Sequence, residues 1–108
     1  MSHRVTTQTD MTDSKLAKEA LKIAGFTFSE AGQTLTITSG SLRNAVVNTS
    51  TGTVTGDTDY GHRAEAFGAL RQFYSEAKYK QELAKQGGYV ESRNVDQNGD
   101  IVLMCMIN

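Results

Sequence analysis

The sequence predicts an α+β domain in two layers, with a mainly antiparallel sheet of about five strands and two helices on one face. Two stretches, residues 14–24 and 64–86, carry apolar side chains at helical spacing. Threonine is abundant between residues 34 and 58, and its β-branched, hydroxyl-bearing side chain suits strands that have one wet face. Two strand-like runs also flank Asn98 and Gly99, a pattern typical of a hairpin.

The composition indicates one domain without a strong overall charge. The chain has 108 residues and a formal net charge of −1, so its global field attracts neither nucleic acid nor an anionic membrane. No signal-peptide pattern and no run of about 18 apolar residues occurs, so we expect a cytoplasmic protein without a membrane segment. The single cysteine, Cys105, lies in an apolar run, which favours a small buried side chain over a nucleophile or metal ligand.

The amino-terminal part predicts a strand followed by a short helix. Residues 4–9 are polar and β-branched, as in a strand with little buried surface. Side-chain oxygens within residues 10–14 are available to cap the next helix, and Gly25 is a natural residue to end it. We therefore expect an amphipathic helix between these two signals.

The middle of the chain predicts further strands. Residues 26–40 suggest two strands around a glycine turn, with Leu35 and Ile37 on a dry face and threonines on a wet one. Residues 42–49 are expected to form another strand. Residues 53–57 fit either a returning strand or an irregular crossing to the second helix.

The second predicted helix carries an apolar stripe that core packing explains without a further role. At about 100° per residue, one face gathers apolar side chains, with Phe67 and Tyr74 on a flank. The low net charge favours a core over a platform on which nucleic-acid bases stack. The predicted core face consists of Ala66, Leu70, Phe73, Ala77 and Ala84.

A basic row on the same helix has two interpretations. Arg71, Lys78 and Lys85 recur every seven residues, and Tyr79 projects nearly opposite the core face with Leu83 one turn beyond. These cations and Tyr79 would form a nucleic-acid-binding surface if they met phosphates and a base. Alternatively, the row is a solvated flank and the Tyr79–Leu83 pair lies under a neighbouring loop.

The last segment predicts a hairpin whose second strand is apolar on both faces. Residues 89–95 are expected to pair with residues 101–107 through a type I′ turn at Asn98 and Gly99. In residues 101–107 the odd-numbered and the even-numbered side chains are all apolar. Whichever set faces the helices, the other set therefore leaves an apolar row on the opposite face of the strand. If the odd-numbered residues face inward, that row consists of Val102, Met104 and Met106.

The chain also resembles an uncharacterised family. The residues that carry the resemblance are "MSH", the short helix ending in "GF", the segment "TGTVTGDTDYGHRAEAFGALRQFYSEAKYKQELAKQGGY", and the hairpin with "NGDIVL". Members of this family include a hypothetical open reading frame of cyanobacteria and plastids and small proteins of cyanobacterial phages. The resemblance covers nearly the whole chain and implies an α+β domain of unknown function.

The segment "GDTDYGH" suggests a metal-assisted enzyme as one hypothesis. Asp57, Asp59 and His62 would bring two carboxylates and an imidazole together in a glycine-containing loop, which suits a divalent cation. Their spacing matches no established metal motif. An Asp-x-Asp pair before a helix more often caps the helix or turns the chain.

These observations favour a small, non-enzymatic interaction or regulatory protein of cyanobacterial or cyanophage type, associating through the apolar back of its sheet. No nucleophile elbow, phosphate loop or dinucleotide motif occurs, so we predict no catalytic residue and no cofactor. Val102, Met104 and Met106 are predicted to form the interface, with a second copy of the chain or a host or phage protein as the partner. The chain's own residues 48–56 are the alternative cover for this row.

Overall fold

Two separate antiparallel sheets and two helices make up the part of the chain that the computed structural model describes, residues 4–57, 61–62 and 64–107. The predicted α+β class and five-stranded antiparallel sheet are confirmed. The predicted hairpin is present, but it forms a sheet of its own. The elements are β1 (Arg4–Gln8), α1 (Ser14–Ile23), β2 (Phe28–Ala31), β3 (Thr34–Ile37), β4 (Val46–Asn48), β5 (Thr53–Asp57), α2 (Ala64–Lys85), β6 (Gly88–Val95) and β7 (Ile101–Ile107).

The larger sheet has the strand order β1-β5-β4-β3-β2, and all neighbouring strands are antiparallel. Leu35 lies opposite Val47, which lies opposite Val54, and all three side chains are fully buried. Thr34 and Thr36, which alternate with Leu35 on β3, are only half-buried. The predicted dry and wet faces are therefore confirmed. Residues 53–57 form a returning strand, so the alternative of an irregular crossing is wrong.

The fourth strand is shorter than the sequence predicts. Residues 41–44 form a turn, and β4 begins only at Val46. Asn44 has a φ of 75°, a left-handed conformation that asparagine tolerates better than most residues and that a regular strand does not contain. Leu42 and Ala45 are nevertheless buried. The apolar spacing that suggested a strand here comes from a turn folded onto the core.

Helix α1 begins at a side-chain cap and ends before a glycine, as predicted. Asp13 accepts a hydrogen bond from the backbone N–H of Leu16 at 3.1 Å, which satisfies one of the donors that lack a partner in the first helical turn. Gly25 follows the helix with a φ of 84°, a conformation that glycine adopts without strain. The buried side chains of α1 are Leu16, Ala17, Ala20 and Leu21.

Helix α2 turns a slightly different face to the core than the sequence predicts. The buried stripe includes Phe67 and Tyr74, which were expected on its flank, while Phe73 is only half-buried and Ala84 is exposed. Tyr74 also reaches α1, because its hydroxyl accepts the backbone N–H of Asp13 at 3.3 Å. The residues of α2 in the core are Phe67, Leu70, Tyr74 and Ala77.

The β6–β7 hairpin is closed by a different turn from the predicted type I′. The backbone N–H of Gly99 donates to the carbonyl of Asp96 at 3.0 Å, and Gly99 has a φ of 83°. Asn98 lacks the positive φ that a type I′ turn requires, so the connection is a type I turn followed by a left-handed glycine. The Asp96 carboxylate stabilises it by accepting backbone N–H groups inside the turn. The predicted strands still pair, with residues 88–95 opposite residues 101–107.

Candidate protein-interaction surface on the hairpin

The β6–β7 hairpin lies along the side of α2 that faces away from the larger sheet. At about 100° per residue, the α2 residues that meet the hairpin project nearly opposite Phe67 and Tyr74. Gln72 donates from Nε2 to the carbonyl of Gly99 at 3.4 Å, while Leu83 is buried close to Gly88 at the other end. Leu83 is thus covered as the second interpretation of the sequence expected, although by a hairpin rather than a loop.

A buried carboxylate holds the hairpin on α2. The Glu76 side chain is 2% exposed, and Arg93 on β6 donates from Nε to its two oxygens at 3.0 and 3.2 Å. Lys80, one helical turn away, lies 3.0 Å from the same carboxylate. Two cations therefore compensate for the removal of this charge from water. The spacing of Glu76 and Lys80 was visible in the sequence, but the contact with Arg93 depends on how the hairpin folds back.

Tyr79 and Cys105 meet where β7 passes α2. The pKa of the Tyr79 hydroxyl is raised by a hydrogen bond with the Cys105 side chain, then by the Coulomb interaction with that side chain and by burial. Cys105 itself is half-buried, in line with its predicted position on the inward parity. Half of the Tyr79 residue is nevertheless exposed.

The outward face of the hairpin carries the apolar row named from the sequence. Val102, Met104 and Met106 are 51%, 60% and 44% exposed, and Tyr89, opposite Met106, is 51% exposed. Ile101, Leu103 and Cys105 on the other parity are half-buried. Among the described residues, the exposed large hydrophobic side chains are Tyr79, Tyr89, Val95, Val102, Met104, Met106 and Ile107, all on the hairpin or, for Tyr79, against it.

The location of this row corrects two expectations. The row lies on a separate hairpin, whereas the outward side of the larger sheet presents mainly threonines and other polar side chains. Residues 48–56, the alternative cover, belong mostly to β4, β5 and the turn between them. These residues complete the larger sheet and leave the row exposed to solvent.

The two edges of the hairpin differ in their protection. Strand β6 has a register shift between Val90 and Ser92, and it carries the charged residues Glu91 and Arg93. Bulges and charges of this kind hinder pairing with another strand. Strand β7 has neither a charge nor a register shift of its own, and in the described part of the chain it pairs only with β6. Its outer edge is therefore a free template for a further strand.

The basic residues of the nucleic-acid hypothesis are partly neutralised by nearby carboxylates. Arg71 and Lys78 are exposed, but Lys85 lies 3.2 Å from the Glu82 carboxylate. Lys78 and Tyr79 line an open cleft of about 320 Å³ together with two acidic residues. Carboxylates so close to the cations oppose a phosphate backbone. The cleft is lined by Asp10, Ser75, Lys78, Tyr79 and Glu82.

Two residues of the metal hypothesis lie in the described part of the chain: Asp57 ends β5, and His62 precedes α2. His62 is 1% exposed, and its Nδ1 accepts the backbone N–H of Asp57 at 3.0 Å. A metal ion at Nδ1 would have to displace this bond. Within the described residues, no three acidic, histidine or cysteine side chains gather closely enough to hold a metal ion. Asp59 lies outside the described residues, so the metal site stays a prediction.

The fold and surface define a small α+β protein with an exposed apolar hairpin. Comparison with protein-family models, curated proteins and solved structures found no match for the chain. No helix in the described ranges is both long and apolar enough to span a bilayer.

Proposed function

We propose that the chain is a small, non-enzymatic interaction protein that associates with a second copy of itself through the β6–β7 hairpin. The observation that carries this proposal is the concentration of exposed large hydrophobic side chains on and beside one hairpin. Clustered apolar surface on a small protein is typical of an interaction site, whereas single exposed hydrophobic residues are ordinary. The cyanobacterial or cyanophage type suggested by the resemblance remains part of the proposal.

The physical basis is the two-sided apolar character of β7. Leu103 and Cys105 on the inward face of β7 are half-buried, while Met104 and Met106 on the outward face remain exposed. Covering apolar area is favourable by roughly 25 cal/mol per Å². Methionine side chains are flexible and polarizable, so they adapt to a partner surface without a preformed pocket.

A second copy suits this surface better than a charged partner. The outward row contains no charged side chain, and the nearest ion pairs of the hairpin are used internally between Glu76 and its cations. The chain as a whole carries a formal net charge of −1, so two copies repel each other weakly. An apolar row without charge offers little selectivity toward an acidic or basic protein, but it is complementary to itself.

The test is the solution mass of the wild type and two lysine variants, measured by light scattering. We expect the wild type to rise from 11.7 kDa toward twice that mass as concentration increases. Met104→Lys should keep the protein monomeric, because an ammonium group in the row would lose its water on association. The matched control is Ser29→Lys, on the exposed face of β2, which should behave as the wild type. A Met104→Lys protein that associates as strongly as the wild type contradicts the proposal.

A further inference from the structure

We infer that two copies join through the outer edges of their β7 strands, which pair antiparallel about a twofold axis at Met104 and make one four-stranded sheet. This inference rests on the proposed function and adds the geometry of the contact. In such a pair, Met104 of one copy lies opposite Met104 of the second copy. The same surface then serves both subunits, as a closed dimer with twofold symmetry requires.

The choice of β7 follows from the difference between the two hairpin edges. Natural edge strands avoid pairing by means of charges, prolines, bulges or short length. Strand β7 has seven residues, none of them charged, and no proline occurs anywhere in the chain. Strand β6 has Glu91, Arg93 and an irregular register, and the Arg93 side chain is turned toward Glu76. The unprotected edge is therefore β7.

The register centred on Met104 is the one that pairs the whole strand. Residues 101–107 then face residues 107–101 of the second copy, and every cross-strand pair is apolar. Val102 meets Met106, so the outward rows of the two copies merge and their side chains cover one another laterally. The acidic hairpin turns point away from each other, because Asp100 of the two copies lie about 27 Å apart along the strands. A separation of this size exceeds the screening length of physiological salt, about 8 Å.

The available area predicts how strong this pairing is. Val102, Met104, Met106 and Ile107 are each about half exposed, and together they leave on the order of 300 Å² of apolar surface. The backbone edge adds to this area, but the sum stays below the roughly 800 Å² per partner of a standard interface. We therefore expect a reversible dimer with a dissociation constant on the order of 10 μM.

Disulfide trapping tests the geometry. The background is Cys105→Ser, which removes the only native thiol, and the two variants are Met104→Cys and Asn94→Cys. Asn94 lies on the same outward face but on β6, opposite Val102. In the four-stranded sheet the two Met104 positions are adjacent, whereas the two Asn94 positions are about 20 Å apart, because three inter-strand spacings and an offset of four residues along the strands separate them. With a mild oxidant, Met104→Cys should form the covalent dimer at least about tenfold faster than Asn94→Cys.

The outcomes separate the geometry from the function. Equal trapping of both variants in a protein that dimerises would show hairpins packed face to face, which overturns edge pairing and leaves self-association intact. Trapping of Asn94→Cys alone would place β6 at the contact, and this also overturns the inference. A wild type that is monomeric at all concentrations removes the proposed function and the inference together.

Amide hydrogen exchange on the wild type gives a readout that needs no variant. The backbone N–H groups of β7 that point away from β6 gain partners only in the paired sheet. Their exchange should slow as protein concentration rises, while the corresponding outer amides of β6 stay unchanged. Exchange in β7 that is independent of concentration across the range where the mass increases would contradict edge pairing.

Discussion

Gly56 and His62, the first and last residues of the "GDTDYGH" segment, form a close contact. A Cβ atom at Gly56 would lie 2.6 Å from His62 Nδ1 and 2.6 Å from Phe67 Cζ. The histidine ring therefore packs directly against the backbone of β5, next to Phe67, with ring centroids 6.2 Å apart. A residue that resembles a metal ligand in the sequence thus has a packing role at the base of α2.

Gly56→Ala should lower the free energy of unfolding by about 1–3 kcal/mol, because the added methyl group overfills this contact. Gly68→Ala is the matched control: Gly68 is exposed within α2, and its Cβ would meet no atom within 4 Å. That variant should raise the free energy of unfolding by roughly 0.5–1 kcal/mol, since alanine favours a helix. Urea denaturation measures both. An unchanged stability of Gly56→Ala would show that His62 is not packed as described.

At the level of single residues, the sequence predicted which side chains share a face of a strand better than it predicted which side chains touch one another. Alternation placed Leu35 and Ile37 inward, and it grouped Val102, Met104 and Met106 on one face of β7 without deciding which face that was, because successive side chains in a strand point to opposite sides. It could not place Glu76 against Arg93, since these residues meet only after the hairpin folds back along α2. The burial of His62 was equally invisible, because a lone histidine carries no periodic signal.

At the level of elements, the ion pair between Glu76 and Arg93 is what attaches the hairpin to α2 most specifically. Removing one partner of a buried pair leaves the other charge poorly compensated. Arg93→Met keeps the apolar stem and removes the cation, so it should lower the free energy of unfolding by about 2 kcal/mol. Hydrogen exchange of the backbone amides of β6 and β7 should also become faster, because the hairpin loses this contact with the helix.

A double-mutant cycle isolates the contribution of the pair. We expect a coupling energy of about 1–3 kcal/mol between Glu76→Gln and Arg93→Met. The control cycle is Glu82→Gln with Lys85→Met, on the exposed pair of the same helix, where coupling should stay below about 0.5 kcal/mol. Similar coupling in the two cycles would show that burial adds nothing to the Glu76 contact.

The boundaries of the helices were predictable where a capping residue or a glycine marks the end of the helical pattern. Asp13, Gly25 and the glycine pair after α2 are local signals, and the helices begin and end close to them. The turn at residues 41–44 was missed, because the buried side chains of Leu42, in the turn, and Ala45, directly after it, have the spacing of a strand, while Asn44 supplies the left-handed conformation. The Asn98-Gly99 dipeptide predicted the hairpin correctly but the wrong turn, since Asp96 stabilises a type I alternative.

At the level of the whole molecule, the hairpin makes the protein elongated. Its principal extents are 54 × 34 × 21 Å and its radius of gyration is 14.6 Å, whereas about 13 Å is usual for a chain of this length. The sequence predicted one sheet, because nothing local distinguishes a hairpin that joins a sheet from one that crosses to the far side of a helix. The order of the strands and the position of the hairpin on the far side of α2 depend on contacts between residues distant in the chain. Local patterns in a single sequence do not reveal these contacts.

The most direct measurement of self-association is the oxidation rate of individual methionines in the wild type at low and high protein concentration, about 5 and 500 μM. Excess peroxide converts exposed methionine to its sulfoxide, and mass spectrometry of peptides locates the product. We expect Met104 and Met106 to oxidise several-fold more slowly at the higher concentration, because a second copy covers them, while the fully buried Met11 stays slow at both. Equal rates for Met104 and Met106 at the two concentrations would contradict association through the hairpin.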